Sequence, residues 1–78
     1  MSDHPVKRRV TVLEVRRKGL SYGGDIILEL VTREGSFRTA AGSLASQRLT
    51  PYVFPGKGKP ANILLNRRGT VDDVGFLD

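Results

Sequence analysis

The chain has no cysteine and no tryptophan, and its single histidine is His4. Without cysteine, disulfide bridges and thiolate zinc sites are excluded, and no thiol can serve as a nucleophile. No stretch approaches the roughly 18 uninterrupted apolar residues of a membrane-spanning helix, and the N-terminus lacks the apolar segment of a secretion signal. We therefore expect a cytoplasmic protein with no membrane partner, no metal and no cofactor.

Residues able to perform acid–base or nucleophilic chemistry are scattered through the chain. Asp72 and Asp73 are consecutive on a predicted strand, so their carboxylates should point to opposite faces. Ser43 and Ser46 have no evident base partner, and His4 falls in a polar N-terminal arm. The sequence therefore predicts a protein that is not an enzyme.

Length and composition fit one small domain. Seventy-eight residues, 38% of them hydrophobic, are enough for a single core. Burial in so short a chain is expected to leave only roughly 3 to 5 kcal/mol of stability, so self-association into a homo-oligomer would help. We predict a flexible N-terminal arm over residues 1–5 and one domain over residues 6–78.

Apolar alternation predicts three strands in the first half. In residues 6–18, Val10 and Val12 fall on one side and Leu13 and Val15 on the other, which indicates either a bulged strand or a strand buried on both faces. The segment DIILELVTR alternates most clearly. The turn REGS then leads into a third strand, SFRTA.

The second half begins with a helical pattern. Ser43 is a suitable N-cap for a short helix of roughly two turns in AAGSLASQRL. Three prolines in residues 50–60 predict a long loop, because proline removes ladder donors. Two strands follow, ANILLNRR and TVDDVGFLD, and a bulge is expected in the second because Val71 and Val74 are out of phase.

The order strand, strand, strand, helix, strand, strand is that of an OB-fold, a partly open five-stranded barrel. We therefore predict a mainly β protein, a small OB-like barrel with one short helix. An SH3-like barrel is the alternative, although its helical element is usually a single tight turn before the last strand. Bulged strands suit either barrel, since closure requires strong bending.

The positive charge is unevenly distributed. The chain carries a net charge of +5. Much of the excess lies in the first 18 residues, at Lys7, Arg8, Arg9, Arg16, Arg17 and Lys18. Such an excess favours polyanionic partners. It is also what a small β domain needs to stay soluble and to protect its strand edges, and the two interpretations stay open.

The segment GKGKP is not a nucleotide-binding P-loop. A P-loop ends in Gly-Lys-Ser or Gly-Lys-Thr and opens a helix, whereas Pro60 removes a donor here and a strand follows. Lys57 and Lys59 lie close in sequence to Tyr52 and Phe54, a combination typical of sequence-tolerant single-strand binders. Alternatively, the aromatic side chains close the barrel and the lysines only solvate the loop.

The predicted function is nucleic-acid binding, single strands included, through phosphate contacts. In an OB-like barrel the loops joining the first two and the last two strands frame the ligand face, and both loops are rich in arginine here. The predicted binding residues are Arg16, Arg17, Lys18, Tyr22, Phe37, Tyr52, Lys57, Lys59, Arg67 and Arg68.

The alternative is a protein-interaction or self-assembling accessory protein, for example from a phage or another mobile element. Its interface would be formed by the apolar residues near the C-terminus, Val71, Val74, Phe76 and Leu77. Against this, bulges could turn part of that apolar set inward.

Overall fold

The computed structural model describes residues 5–77, which form one six-stranded antiparallel sheet and one short helix. The elements are β1 (Val6–Leu20), β2 (Ile26–Thr32), β3 (Gly35–Arg38), α1 (Leu44–Arg48), β4 (Tyr52–Val53), β5 (Lys59–Leu65) and β6 (Val71–Phe76). Apart from Pro5, the predicted N-terminal arm lies outside the described residues. No helix among residues 5–77 is long and apolar enough to cross a membrane.

The long strand β1 organises the sheet. Its first half pairs with β5, its second half pairs with β2, and β4 pairs with it near the middle. The register with β2 shifts between Val12 and Glu14, so the chain bulges at Leu13. The bulge returns Val15 to the side of Val10 and Val12, and all three are buried. The bulged first strand is confirmed.

The sheet has the order β3-β2-β1-β5-β6 along its main path. A single isolated parallel bridge joins Thr39, just after β3, to Val71 at the start of β6. The backbone N–H of Ala40 donates to the Val71 carbonyl at 2.8 Å. The two ends of the path therefore approach each other, but the sheet is not closed. The mainly β class with one short helix is confirmed, and the barrel is not.

Another bulge shapes the last strand. The β5–β6 register moves from Leu64–Asp73 directly to Leu65–Val71, which leaves Asp72 as the extra residue. Both Val71 and Val74 consequently face the core, as the out-of-phase pattern predicted. The remaining buried apolar residues are Val10, Val12, Val15, Leu28, Leu30, Ala45, Ala61 and Ile63.

The predicted helix is present but shorter than two turns. Ser43 is its N-cap, because the Ser43 Oγ accepts a hydrogen bond of 3.2 Å from the Ser46 N–H. The helix spans five residues and ends at an extended Leu49. Pro51 accounts for the early end, since a proline disfavours helical geometry in the preceding residue, Thr50.

The prediction of an uninterrupted loop over residues 50–60 is wrong. Tyr52 and Val53 form β4, and β5 begins at Lys59 with Pro60 in second place. The N–H and C=O of a strand residue point to the same side. The Pro60 carbonyl accepts from the Leu77 N–H at 2.9 Å, so the N–H that Pro60 lacks would also point past the end of β6. No residue of β6 needs a hydrogen-bond donor at that place, so the proline is tolerated.

Candidate functional site

A cleft of about 580 Å³ lies between the β5–β6 hairpin and the end of the β2–β3 hairpin. Ile27 and Arg38 line it on the side of β2 and β3. Asn66, Arg67 and Arg68 line it on the side of the β5–β6 hairpin. Arginine side chains from two distant parts of the chain therefore share one concave surface.

Thr39 holds the two sides of the cleft together. Its backbone bridges to Val71 on β6, as described above. Its N–H donates to the Leu28 carbonyl at 2.9 Å, and its Oγ1 accepts from the Leu28 N–H at 2.9 Å. Thr39 is almost fully buried, so these bonds are shielded from water. The end of β3, and with it Arg38, is thereby anchored to both β2 and β6.

Asn66 organises the turn that carries the paired arginines. Its Oδ1 accepts from the N–H groups of Arg68 and Thr70, at 2.9 and 3.2 Å. Its Nδ2 donates to the Thr70 Oγ1 at 2.7 Å and to the Asp72 Oδ1 at 3.0 Å. The side chain thus bonds both arms of the hairpin, and the backbone from which Arg67 and Arg68 project is held in one shape.

The lining of the cleft is electropositive. Arg38, Arg67 and Arg68 line it, and within the part of the lining that residues 5–77 form, Asp72 contributes the one carboxylate. All three arginines are exposed, so they can reach a ligand without a burial penalty.

The β1–β2 hairpin lies beside this cleft. Ile27, which lines the cleft, pairs with Gly19 in β1, and the preceding residue Ile26 pairs with Leu20. Tyr22 at the tip is fully exposed. The predicted residues Arg17 and Lys18 are exposed on the same hairpin, and Arg17 pairs with Leu28, next to Ile27. Arg17, Lys18 and Tyr22 are therefore carried by a hairpin that contributes Ile27 to the cleft lined by Arg67 and Arg68.

Arg16 differs from its neighbours because it is already paired. Its Nε lies 2.9 Å from the Glu14 Oε2, and both side chains are on the surface. The hydrogen bond that Arg16 donates to Glu14 and the negative charge of Glu14 raise the pKa of Arg16 above its ordinary value. Its guanidinium remains protonated, but part of its field is compensated locally.

Lys57 and Tyr52 lie away from the cleft. The Phe54 N–H donates to the Leu13 carbonyl at 3.0 Å, which places this loop over the bulge in β1. The Lys57 carbonyl accepts from Arg33 in the β2–β3 turn at 3.5 Å. That turn is at the opposite end of β2 from Ile27, roughly 20 Å away at the rise of a strand. The predicted site is therefore divided between two ends of the β2–β3 hairpin.

The aromatic residues near that loop pack on each other. Tyr52 meets Phe54 edge to face with ring centroids 4.8 Å apart, and Phe54 lies 5.4 Å from Phe76. Lys59, predicted to lie in a long loop, is half-buried in β5 with its Nζ 5.8 Å from the centre of the Phe76 ring. Phe54 packs against the core, as the alternative interpretation predicted, whereas Tyr52 is 54% exposed and does not fold back onto it.

Phe37 is poorly placed to stack on a ligand. It is half-buried and packs against the core. The Arg8 guanidinium lies 5.7 Å from the centre of its ring, in cation–π geometry. Core contacts and a cation therefore already occupy the ring.

The predicted C-terminal interface loses two of its four residues to the core. Val71 and Val74 face inward because of the bulge at Asp72, so they offer no surface to a partner. Phe76 and Leu77 are half-buried and line a shallow depression of about 330 Å³ over Gly75. The apolar surplus expected at this end of the chain is correspondingly small.

Sequence reasoning missed Arg38 and Asn66. An asparagine three residues before a glycine, in NRRG, is a turn signal that could have identified Asn66. Arg38 carries no local signal, because its role depends on the contact between β3 and β6. Within residues 5–77 no group of three or more His, Asp or Glu side chains is placed to hold a metal ion.

Comparison with known proteins gives no match to this chain, either among family models, among curated proteins or among solved structures.

Proposed function

We propose that the protein is a non-enzymatic module that binds nucleic acid through its phosphate backbone. The observation that carries the proposal is the cleft that Arg38, Arg67 and Arg68 line together. One guanidinium group can donate two parallel hydrogen bonds to the oxygens of one phosphate. Phosphate contacts supply most of the affinity of sequence-independent nucleic-acid binding. The chain's net charge of +5 adds a long-range attraction to polyanions.

A polymer fits this surface better than a small anion. Cationic side chains continue from the cleft onto the β1–β2 hairpin, at Arg17 and Lys18. A single phosphate would fill only part of the cleft, whereas a strand with a phosphate at every nucleotide can contact both regions at once. The distribution of charge therefore favours an extended polyanion.

We further propose that the sheet is an OB-like barrel left partly open. The strand order β3-β2-β1-β5-β6, the parallel bridge from Thr39 to Val71 and the position of α1 after β3 all agree with that topology. An SH3-like barrel agrees less well, because α1 does not precede the last strand. In an OB-fold the ligand face is framed by the two hairpins that meet here at the cleft.

The test is the salt dependence of oligonucleotide binding, followed by fluorescence anisotropy. Affinity should fall steeply between about 50 and 200 mM salt, with a log–log slope of about 0.7 per phosphate contact on a single strand. Replacing both Arg67 and Arg68 by alanine should lower that slope by about 1.4. Lys57→Ala, at the far end of β2, is the matched control and should leave the slope unchanged. Undetectable binding at low salt would exclude the proposal.

A second candidate, protein interaction or self-assembly, is favoured by β4. Tyr52 and Val53 are 54% and 66% exposed, and among the described strands β4 pairs only with β1. An unpaired strand edge with apolar side chains is a common docking surface. Light scattering during size exclusion should then report a dimer or larger, and Val53→Lys should restore the monomer. A monomeric wild-type protein would exclude self-assembly.

A further inference from the structure

The tip of the β1–β2 hairpin is apolar and uncovered. Leu20 and Ile26 form a cross-strand pair and are 59% and 43% exposed, and Tyr22 between them is fully exposed. Two hydrogen bonds close the loop: the Ser21 N–H donates to the Asp25 carbonyl at 2.7 Å, and the Asp25 N–H donates to the Ser21 Oγ at 3.0 Å. A fixed loop therefore presents three apolar side chains to solvent.

The loop that carries this tip lies beside the cationic cleft. Ile27, a lining residue, directly follows Ile26, although the side chains of consecutive strand residues point to opposite faces of the sheet. On the other side of the loop, the Asp25 carboxylate points toward Gly42, within 4 Å of where a side chain on Gly42 would begin. Gly42 in turn follows Ala41, another lining residue. The contact between Asp25 and Gly42 therefore holds the loop that carries Tyr22 beside the lining of the cleft.

We propose that this hairpin makes the protein selective for single-stranded nucleic acid, by stacking an unpaired base on Tyr22 while the cleft holds adjacent phosphates. The inference rests on the nucleic-acid-binding function proposed above and specifies its substrate class. In a duplex the base faces are covered by their neighbours, so only base edges, sugars and phosphates can be contacted from outside. Only an unpaired strand offers both the phosphates that the cleft requires and the free base faces that the tip requires.

The charge pattern favours a strand over a lipid surface. An apolar tip beside basic residues can also insert into an anionic bilayer. Here, however, Arg38, Arg67 and Arg68 line a concave cleft. A flat bilayer cannot enter a concavity, whereas a flexible strand can.

The first experiment compares three probes of equal length: a thymidine oligonucleotide, the same strand without bases, and a duplex. Tyr22→Ala should weaken binding of the base-bearing single strand by about 5-fold to 100-fold, while binding of the abasic strand stays unchanged. Tyr22→Phe keeps an aromatic face and should behave like the wild type. The side chain is fully exposed, so these variants should retain the native fold.

The second experiment places a fluorescent reporter at the tip. The chain has no tryptophan, so Tyr22→Trp introduces a single tryptophan as the fluorescent reporter. Stacking of a base on the indole should quench its emission when the oligonucleotide binds, and the abasic strand should not quench it. Tyr52→Trp is the matched control, because Tyr52 is also a surface tyrosine but lies away from the cleft, and its emission should not change.

Equal affinity for the base-bearing and abasic strands, together with unquenched Tyr22→Trp emission, would overturn the inference and leave the phosphate-binding function standing. A duplex bound as tightly as the single strand would do the same. If no nucleic acid binds, both proposals fail together. A spectral shift of Tyr22→Trp with phosphatidylglycerol vesicles, and none with the oligonucleotide, would assign the tip to membranes instead.

Discussion

The Nδ2 of Asn66 donates a hydrogen bond of 3.0 Å to the Oδ1 of Asp72, across the base of the hairpin that carries the paired arginines. Asp72 is the extra residue of the bulge in β6. The side chain of this bulged residue therefore also stabilises the turn, through its bond to Asn66. The cleft arginines are thus held by an amide network rather than by a flexible loop. This network makes the geometry of the candidate site open to mutational test.

Asn66→Ala should reduce both stability and binding. It removes two accepted and two donated side-chain hydrogen bonds, and we expect the free energy of unfolding in urea to fall by about 1 to 3 kcal/mol. Oligonucleotide affinity should fall as well, because Arg67 and Arg68 lose their fixed backbone.

Asn62→Ala is the matched control for this change. Asn62 lies on β5, the strand that ends just before Asn66, is similarly half-buried, and has no side-chain hydrogen bond within residues 5–77. The Asn62→Ala variant should unfold at a urea concentration close to that of the wild-type protein. Equal urea midpoints for the Asn66 and Asn62 variants would show that the amide network does not stabilise the hairpin.

Thr39→Val should be more damaging than its nearly identical shape suggests. The substitution removes the hydroxyl that accepts from the buried Leu28 N–H and leaves that donor unsatisfied, at a cost of about 1 to 3 kcal/mol. Thr39→Ser retains the hydroxyl and removes one methyl group, so it should cost about 0.8 kcal/mol.

Urea unfolding and hydrogen exchange at the Leu28 amide would measure the difference between the two Thr39 variants. We expect the exchange of this amide to accelerate in Thr39→Val and to remain slow in Thr39→Ser. If valine proves the better tolerated of the two, the hydrogen bond does not hold the end of β3 in place.

Gly58→Ala should destabilise the protein through a direct clash. The added Cβ would lie 2.6 Å from the Val12 carbonyl oxygen and 2.8 Å from the Leu13 side chain, at a residue whose φ is +86°. Gly56→Ala is a close control, because its φ is +69° but its Cβ would meet no atom within 4 Å. Strain from the positive φ is common to both, so the difference in their thermal midpoints reports the packing against β1. Similar midpoints would contradict the contact.

The bulges could be predicted from the sequence, because each left a visible mark. Val10, Val12 and Val15 cannot share a face of a regular strand, and neither can Val71 and Val74, so an extra residue was needed in both places. The start of the helix could also be predicted from Ser43, because an N-cap depends only on residues close to it in sequence.

The composition of the site could not be predicted in full, because proximity in sequence is a poor guide across a folded sheet. Lys57 and Lys59 are close to aromatic residues in the chain, yet their segment packs on the β1 bulge. The glycine between them, Gly58, is required because a side chain there would clash with the Val12 carbonyl, and not because a phosphate must approach the backbone. Arg38 reaches the cleft only because Thr39 bridges to Val71, a non-local pairing that no local pattern encodes.

Arg38→Ala tests the cleft from the side of β3. If the two sides of the cleft act on one ligand, removing this guanidinium should lower the salt slope of single-strand binding by about 0.7. Arg33→Ala is the matched control, because Arg33 is also an exposed arginine of the β2–β3 hairpin but lies at its opposite end. Both variants lower the net charge equally, so a long-range effect of charge alone would change them together. An equal loss in the two would therefore mean that phosphates are attracted by the whole surface and not held in the cleft.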